Sequence, residues 1–383
     1  MGYSSFEKPV LLIGSNIRFL AENAVCHGHH IFTVDHYGDW DTRKLGPNRS
    51  IVHDSDENFS IDSLVNLARG IDNCGIVFGP GFENDIKAVL SLKKTGALIG
   101  CGADSIRKAR NPESLSLAAS TWGFKYAKIS LSEPDNIASQ KWLSKPVNGM
   151  GGAGITEAGL SNFIETGPVY FQRFIKGMPS SAAVVSDGSS ATVLGVMTQI
   201  VGDESLGADG FRFAGNVYPH PFAGDIIDQV TIMAESLTLE FDLAGLWGFD
   251  FIYDGSVTLI EVNPRPTAGM GLLGAVTLND LLGMHIDTVT RASSNIILDY
   301  GAPSDYTAQA RVFARRDGIF HGCERWYKSG ARDIPQDGEF ISKGAPILTL
   351  TESAVTYQGV MEKLRGRAVT LNNSLALGMT APT

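Results

Sequence analysis

Cysteine is scarce in this chain. Only four occur in 383 residues, at Cys26, Cys74, Cys101 and Cys323. No two fall at CxxC spacing, so a disulfide framework is not expected and a reducing compartment is. Charge is thin as well, at 19% of residues, and the basic side is the smaller one: 31 Lys and Arg against 41 Asp and Glu, net −10. Phosphate backbones are held by basic stripes, so a nucleic-acid partner is not expected. No apolar run approaches the roughly 18 residues that span a bilayer. The opening MGYSSFEKPVLLIG lacks the basic flank and long apolar stretch of a secretory signal. These absences favour a cytoplasmic protein with no membrane partner.

Apolar residues, by contrast, are plentiful at 43%. That is ample for large cores and excludes a disordered chain. The length predicts two to three domains at roughly 100–200 residues each. Glycine is in excess, 43 residues where an average usage of about 7% predicts fewer. With no collagen-like period, the excess points to tight turns and backbone-lined loops.

The first hundred residues alternate short β-rich runs with helical patterns. PVLLIGSN reads as a buried strand ending at Gly14, residues 18–26 as a helix, HHIFTVDHYGD as a second strand and CGIVFGPGFEN as a third that runs into a glycine turn. Such alternation predicts a parallel, doubly wound sheet with ligands at the carboxyl ends of its strands, near Gly14 and Gly79. GSNIRFL lacks the second and third glycines of GxGxxG, so its signal for a dinucleotide is weak, an ordinary strand-to-helix turn is the favoured reading, and Asp35 at the end of the second strand stays a hint of a ribose contact. Beyond Pro112, residues 114–121 look helical, and FKYAKIS, KWLSKPV and VYFQRFI read as strands around a glycine-dense loop. Strand-like pieces fill residues 181–215, a helix covers 226–241, and LWGFDFIYDGSVTLIEVNPRP reads as a hairpin turning at Asp254 and Gly255. A helix over 278–292 and a β-rich unit beyond Ala302 complete the chain.

Two constellations carry chemistry. In the hairpin, Asp250 lies on the first strand and Glu261 on the second, and Asn263 shares a face with Glu261 by strand alternation. Pairing across the turn brings all three together as hard oxygen ligands suited to Mg2+. Arg265, two residues on, adds a positive fork for a phosphoryl group. The bland readings are a strand aspartate paired with a lysine and a glutamate on a solvated edge. Carboxylates inside an apolar strand are costly unless paired, which favours the metal site. In WLSKPVNGMGGAGI, Lys145 ends a strand and Gly149, Gly151, Gly152 and Gly154 follow. Glycine leaves backbone N–H groups open to a polyphosphate, and Lys145 adds a point charge. An ordinary glycine turn is the alternative, and the order is not that of the GxxxxGK[ST] loop.

A lysine with a glycine loop, followed about a hundred residues later by D-x(10)-E-V-N-P-R, resembles the ATP-grasp superfamily, whose members include biotin carboxylase, the large chain of carbamoyl-phosphate synthetase and D-alanine–D-alanine ligase. The resemblance implies an ATP-grasp fold of mixed α/β and α+β class. Its parts would be a doubly wound pre-ATP-grasp domain at 1–105, a lid subdomain at 106–176, a metal-binding subdomain at 177–302 and a small β-rich domain at 303–383. It further implies that Lys145 and the glycines Gly149, Gly151, Gly152 and Gly154 hold the ATP phosphates. Asp250, Glu261 and Asn263 would bind Mg2+ (or Mn2+), and Arg265 would steady an acyl phosphate. VYFQRFIKG matches the family's adenine hinge, implicating Gln172, Phe174 and Ile175, although a plain hydrophobic strand would read the same way.

One departure stands out. The family often has an earlier nucleotide-contacting lysine where this chain reads SIRKARNPESL; Lys108 and Arg110 are the candidates, and neither aligns cleanly. The C-terminal unit resembles that of carboxylase-type chains; Arg315, Arg316 and Arg332 there could reach a substrate carboxylate, with solvated or structural roles the more ordinary reading. The CHGHH run at residues 26–30 has no second ligand pair at zinc spacing and is read as structural. The activity implied is ADP-forming ligation of a small-molecule carboxylate to an amine through an acyl phosphate, closest in style to the ligases that attach glutamate or similar amino acids in methanofuran-like one-carbon cofactor biosynthesis. An acceptor pocket would draw on Ser180, Ser181, Arg212, Asn216 and residues 269–271 of TAGMGLL, read as a loop. The rivals are a carboxylase-like subunit that phosphorylates bicarbonate, for which no biotinyl lysine motif is present, and a non-catalytic ATP-binding regulator. A homodimer is expected from the family.

Overall fold

The computed structural model describes residues 8–135, 139–159, 167–291 and 305–376. Strands β1 (Val10–Ile13), β2 (Ile31–Asp35), β3 (Asn48–Ser50) and β4 (Gly75–Phe78) form an all-parallel sheet in the order β3-β2-β1-β4. Every residue of β1 and β4 is buried, as expected where helices cover both faces of a parallel sheet. The ends of β1 and β4 converge so closely that a Cβ on Gly14 would sit 3.2 Å from the Gly79 backbone. The amide of Ser15 donates to the Pro80 carbonyl at 2.8 Å there.

Next come two short strands, β5 (Lys125–Tyr126) and β6 (Ile129–Ser130), then β7 (Trp142–Pro146), β8 (Thr156–Glu157) and β9 (Val169–Arg173). The last four make a small antiparallel sheet in the order β6-β9-β7-β8. The rest of the chain builds one eight-stranded sheet from β10 (Met178–Asp187), β11 (Ala191–Val201), β12 (Phe213–Tyr218), β13 (Ala244–Tyr253), β14 (Val257–Asn263), β15 (Tyr306–Phe313) and, after the short pair β16 (Gly318–Ile319) and β17 (Phe340–Ile341), β18 (Pro346–Ala354). Its order is β18-β15-β12-β11-β10-β13-β14-β5, so the C-terminal strands extend the sheet that carries the hairpin. The helix Ala223–Phe241 buries Ile226, Val230, Met233, Ala234, Leu237 and Phe241, one helical face, in the same core as Trp247, Phe249 and Phe251.

Two elements differ from expectation. Residues Gly269–Thr277, read as a loop, are a helix. Its three glycines weaken helix propensity by about 1 kcal/mol each, yet burial of Met270, Leu272 and Leu273 outweighs that. Tyr357–Ala376 is a 20-residue helix in the unit read as β-rich. Val360, Leu364, Ala368, Leu371 and Leu375, all buried, recur at helical spacing and were the available signal. Among the described residues no helix is long and apolar enough to cross a membrane.

Candidate active site

The hairpin forms as its alternation dictates. β13 and β14 pair with Gly248 opposite Asn263 and Asp250 opposite Glu261, and a bulge beyond Asp250 displaces Ile260. Asn263 Nδ2 lies 3.4 Å from Asp250 Oδ2, so the three expected ligands do meet. Burial and the facing Glu261 push the Asp250 carboxyl up to about 7. Burial also pushes Glu261 up, but the nearby Arg110 and Lys145 outweigh it and hold this carboxyl below its usual range. Two carboxylates and an amide oxygen with that electrostatic cost fit a hard cation. Among the described residues no group of three or more His, Cys, Asp or Glu is placed to hold a metal. At the CHGHH run, His29 instead pairs with Asp280 at 2.8 Å, and both ring nitrogens of His27 face backbone carbonyls.

Lys145 is buried on β7, where Nζ donates to Gln172 Oε1 at 3.0 Å and lies 4.0 Å from Glu261 Oε2. Burial lowers its pKa, aided by Arg110 and opposed by Glu261 and Asp250. Gln172 is buried as well, and its Nε2 donates to the Ile260 carbonyl at 3.1 Å, tying the small sheet to the hairpin. The Arg110 guanidinium is the residue that enters near Pro112. It pairs with Glu261, donates to Asn84 Oδ1 at 3.0 Å and reaches the Gly149 carbonyl at 3.3 Å. Lys108 is exposed on the helix Ala103–Ala109, which Arg110 caps at its C-terminal end.

Lys145, Gln172 and Glu261 line a cleft of about 740 Å³ that also takes in Gly149, Gly151, Gly152, Phe174, Ile175, Asp250, Asn263 and Arg265, and Arg110 lines a small pocket adjoining it. Gly154 does not line it. Of the expected acceptor residues, Ser181, Arg212, Asn216 and Gly269 line the cleft. Ser180 is instead fully buried against His220 at 3.1 Å. Arg315 donates to the Glu204 carbonyl at 2.6 Å and Arg332 pairs with Glu22 at 2.6 Å. Neither of them, nor Arg316, faces the cleft, so the structural reading of all three stands.

Three participants were not legible beforehand. Glu83, buried after β4, takes Arg265 Nη2 at 2.6 Å on one oxygen and the Gly81 amide at 2.7 Å on the other. It thereby locks the fork of Arg265, whose Nη2 also lies 3.4 Å from Asn263 Oδ1. Gln199 hydrogen-bonds Asp250. Arg311 reaches the cleft from β15, and the AQARVFA alternation that puts it on one face with Gln309 was the signal available.

The order of these parts along the chain has counterparts. Residues 121–269 match the family model of the ATP-grasp domain. The chain carries an ATP-grasp domain. The large chain of carbamoyl phosphate synthase from Clostridium acetobutylicum is 24% identical over 155 residues, 40% of this chain and 14% of that one, so the protein spans about a seventh of that relative. Among solved structures, the biotin carboxylase domain dimer of Hydrogenobacter thermophilus 2-oxoglutarate carboxylase, in complex with MgADP, ADP and bicarbonate, superposes with TM-score 0.69 at 14% identity, covering 98% of this chain and 97% of that one. An N5-carboxyaminoimidazole ribonucleotide synthetase bound to ADP gives 0.66 at 16% identity, with 96% and 98% covered. At such identities the likeness is one of fold, and it covers nearly the whole chain.

Proposed function

We propose that the protein is an ADP-forming ligase that joins a carboxylate to an amine through an acyl phosphate. The observation that carries this reading is the convergence of Lys145, Asp250, Glu261 and Asn263 in a single cleft, with Arg110 paired to Glu261 from the adjoining pocket. A carboxylate is a poor electrophile and must be activated. One of its oxygens attacks the γ-phosphorus of ATP, the bond to the bridging oxygen breaks, and ADP leaves. The amine nitrogen then attacks the acyl carbon, the carbon–oxygen bond to phosphate breaks, and orthophosphate and a proton depart.

Each residue has a task in that sequence. Gln172 holds the Lys145 ammonium in place beside Glu261, where it meets phosphate oxygens together with the glycine-loop amides. Asp250, Glu261 and Asn263 suit Mg2+ or Mn2+, which when bound neutralises charge on the phosphates. Arg265, preset by Glu83, steadies the acyl phosphate. Phe174 and Ile175, just past β9, line the cleft, which supports the adenine assignment. Arg110, paired with Glu261 and in reach of the Gly149 carbonyl, is the cation we assign to the role of the missing lysine. Arg311, in reach of Tyr37 and Asp333 electrostatically, offers a cation to a substrate carboxylate. MgADP and ADP in the two solved relatives support the nucleotide assignment. Within this class we favour attachment of an amino acid such as glutamate in biosynthesis of a methanofuran-like one-carbon cofactor, and a homodimer.

The test is ADP release with Mg-ATP and a panel of acids and amines. ADP that appears only with an acid–amine pair supports the ligase. Dependence on bicarbonate instead replaces it with a carboxylase-like activity, and no ADP under any condition leaves a nucleotide-binding protein.

A further inference from the structure

The β11–β12 connection, residues 202–212, is fixed to the C-terminal part of the molecule along most of its length. Leu206 and Ala208 are fully buried in the core around Phe313 and Leu371. Asp203 receives Arg365 Nε at 2.8 Å, and the Glu204 carbonyl receives Arg315 at 2.6 Å. Arg212 donates to the Gly344 carbonyl at 3.0 Å with its guanidinium 4.4 Å from the Phe313 ring centroid. Its tip projects the other way, against the glycine loop. The Phe213 amide donates to the Gly151 carbonyl at 3.0 Å. Gly152, with φ +76°, packs so tightly on the Phe211 carbonyl that a Cβ there would lie 1.9 Å from the oxygen. The Phe211 ring stands edge-on to hinge residue Phe174, centroids 6.5 Å apart.

We propose that residues 202–212 are the fixed seat on which the glycine flap closes, and that Gly152, Phe211 and Phe213 are positioning residues for the reaction. The inference rests on the ligase reading. The seat holds the flap amides at the phosphates and walls off the nucleotide end of the cleft. Water that reached an acyl phosphate there would attack it, returning the free acid and orthophosphate at the expense of one ATP. Seating the flap therefore sets the yield of amide per ATP.

Gly152→Ala is the decisive variant, because the flap is a surface loop and the clash falls on backbone that cannot move aside. Phe211→Ala, which leaves the carbonyl seat intact, is its companion. Amide formed per ADP should fall at least about fivefold in Gly152→Ala and stay within about twofold of the parent in Phe211→Ala, whose KM for ATP should rise. An unchanged yield in Gly152→Ala overturns the seat. Hydrogen exchange at the Phe213 amide, followed without nucleotide, needs no turnover. It should be at least about tenfold faster in Gly152→Ala, with melting temperature preserved. Equal exchange rates overturn the proposal even if ADP is made. Faster exchange in a protein that makes no ADP would retain the seat and discard the ligase.

Discussion

Glu261 is the residue on which the site balances. It is the carboxylate shared by two cations from different elements, Arg110 and Lys145, and it faces Asp250 across the hairpin. Replacing it with Gln removes a negative charge from the ion position and leaves both cations short of a partner. Turnover should fall by about 10² or more, measured as ADP release under saturating Mg-ATP, with the fold intact by circular dichroism. Arg110 and Lys108, at the C-terminal end of one helix, offer a paired comparison. Arg110→Ala should raise the KM for ATP about tenfold, since a charge-assisted contact to phosphate is lost. Lys108→Ala, on the solvent side, should leave it unchanged. An equal effect of the two would remove Arg110 from the nucleotide site.

Elements store part of their stability in titratable groups. Asp35 ends β2 with only 2% of its surface exposed, accepting the Gly38 amide at 2.8 Å. Burial pushes its carboxyl up to about 7. In the unfolded chain the same group titrates near 3.9. The folded state therefore holds the extra proton between about pH 4 and pH 7, and this contribution to stability is present below that window and is lost as pH rises through it. The slope is at most about 1.4 kcal/mol per pH unit from one group. Asp35→Asn cannot ionise, so its urea midpoint relative to wild type should rise steadily between pH 4 and pH 7 and level off above. A constant difference across that range would show that Asp35 ionises normally.

At the scale of the molecule, the parallel sheet and the C-terminal unit are joined by a buried ionic contact. Arg18, 4% exposed, donates from Nε to Asp333 at 2.6 Å and from Nη1 to Glu22 at 2.5 Å. Asp333, in the left-handed region with φ +54°, also receives Asn16 and Thr349, and its own amide and that of Ile334 donate to Asp41. Burial pushes the Asp333 carboxyl up, and Arg18 and Arg311 outweigh it to hold it well below the usual range. Arg18→Ala removes the cation beside Asp333 and the buried Asp41, 3.7 Å from Nε, and should cost about 3–5 kcal/mol, read as a lowered denaturant midpoint. Arg18→Lys should recover part of the loss through charge, but not the directed Nε contact.

Sequence alone determined the local half of this protein. The doubly wound start was written in the alternation of β1, β2 and β4 with their helices. The hairpin was written in the period-two pattern on either side of Asp254 and Gly255. A tight turn leaves strands little freedom of register, so Asp250 could be placed close to the Glu261 end of the second strand, while the direct pairing of the two came from the bulge that displaces Ile260. Lys145 and its glycines were legible for the same local reason. The helix Gly269–Thr277 was not, because its glycines mask the 3.6-residue period that burial then enforces. Only tertiary structure decided which isolated charges join the site. Arg110 meets Glu261 across 151 positions, Arg265 meets Glu83 across 182 and Arg18 meets Asp333 across 315. A lone arginine or glutamate has no periodicity to betray its partner. What brings such pairs together is the packing of whole sheets and the cost of leaving a buried charge uncompensated.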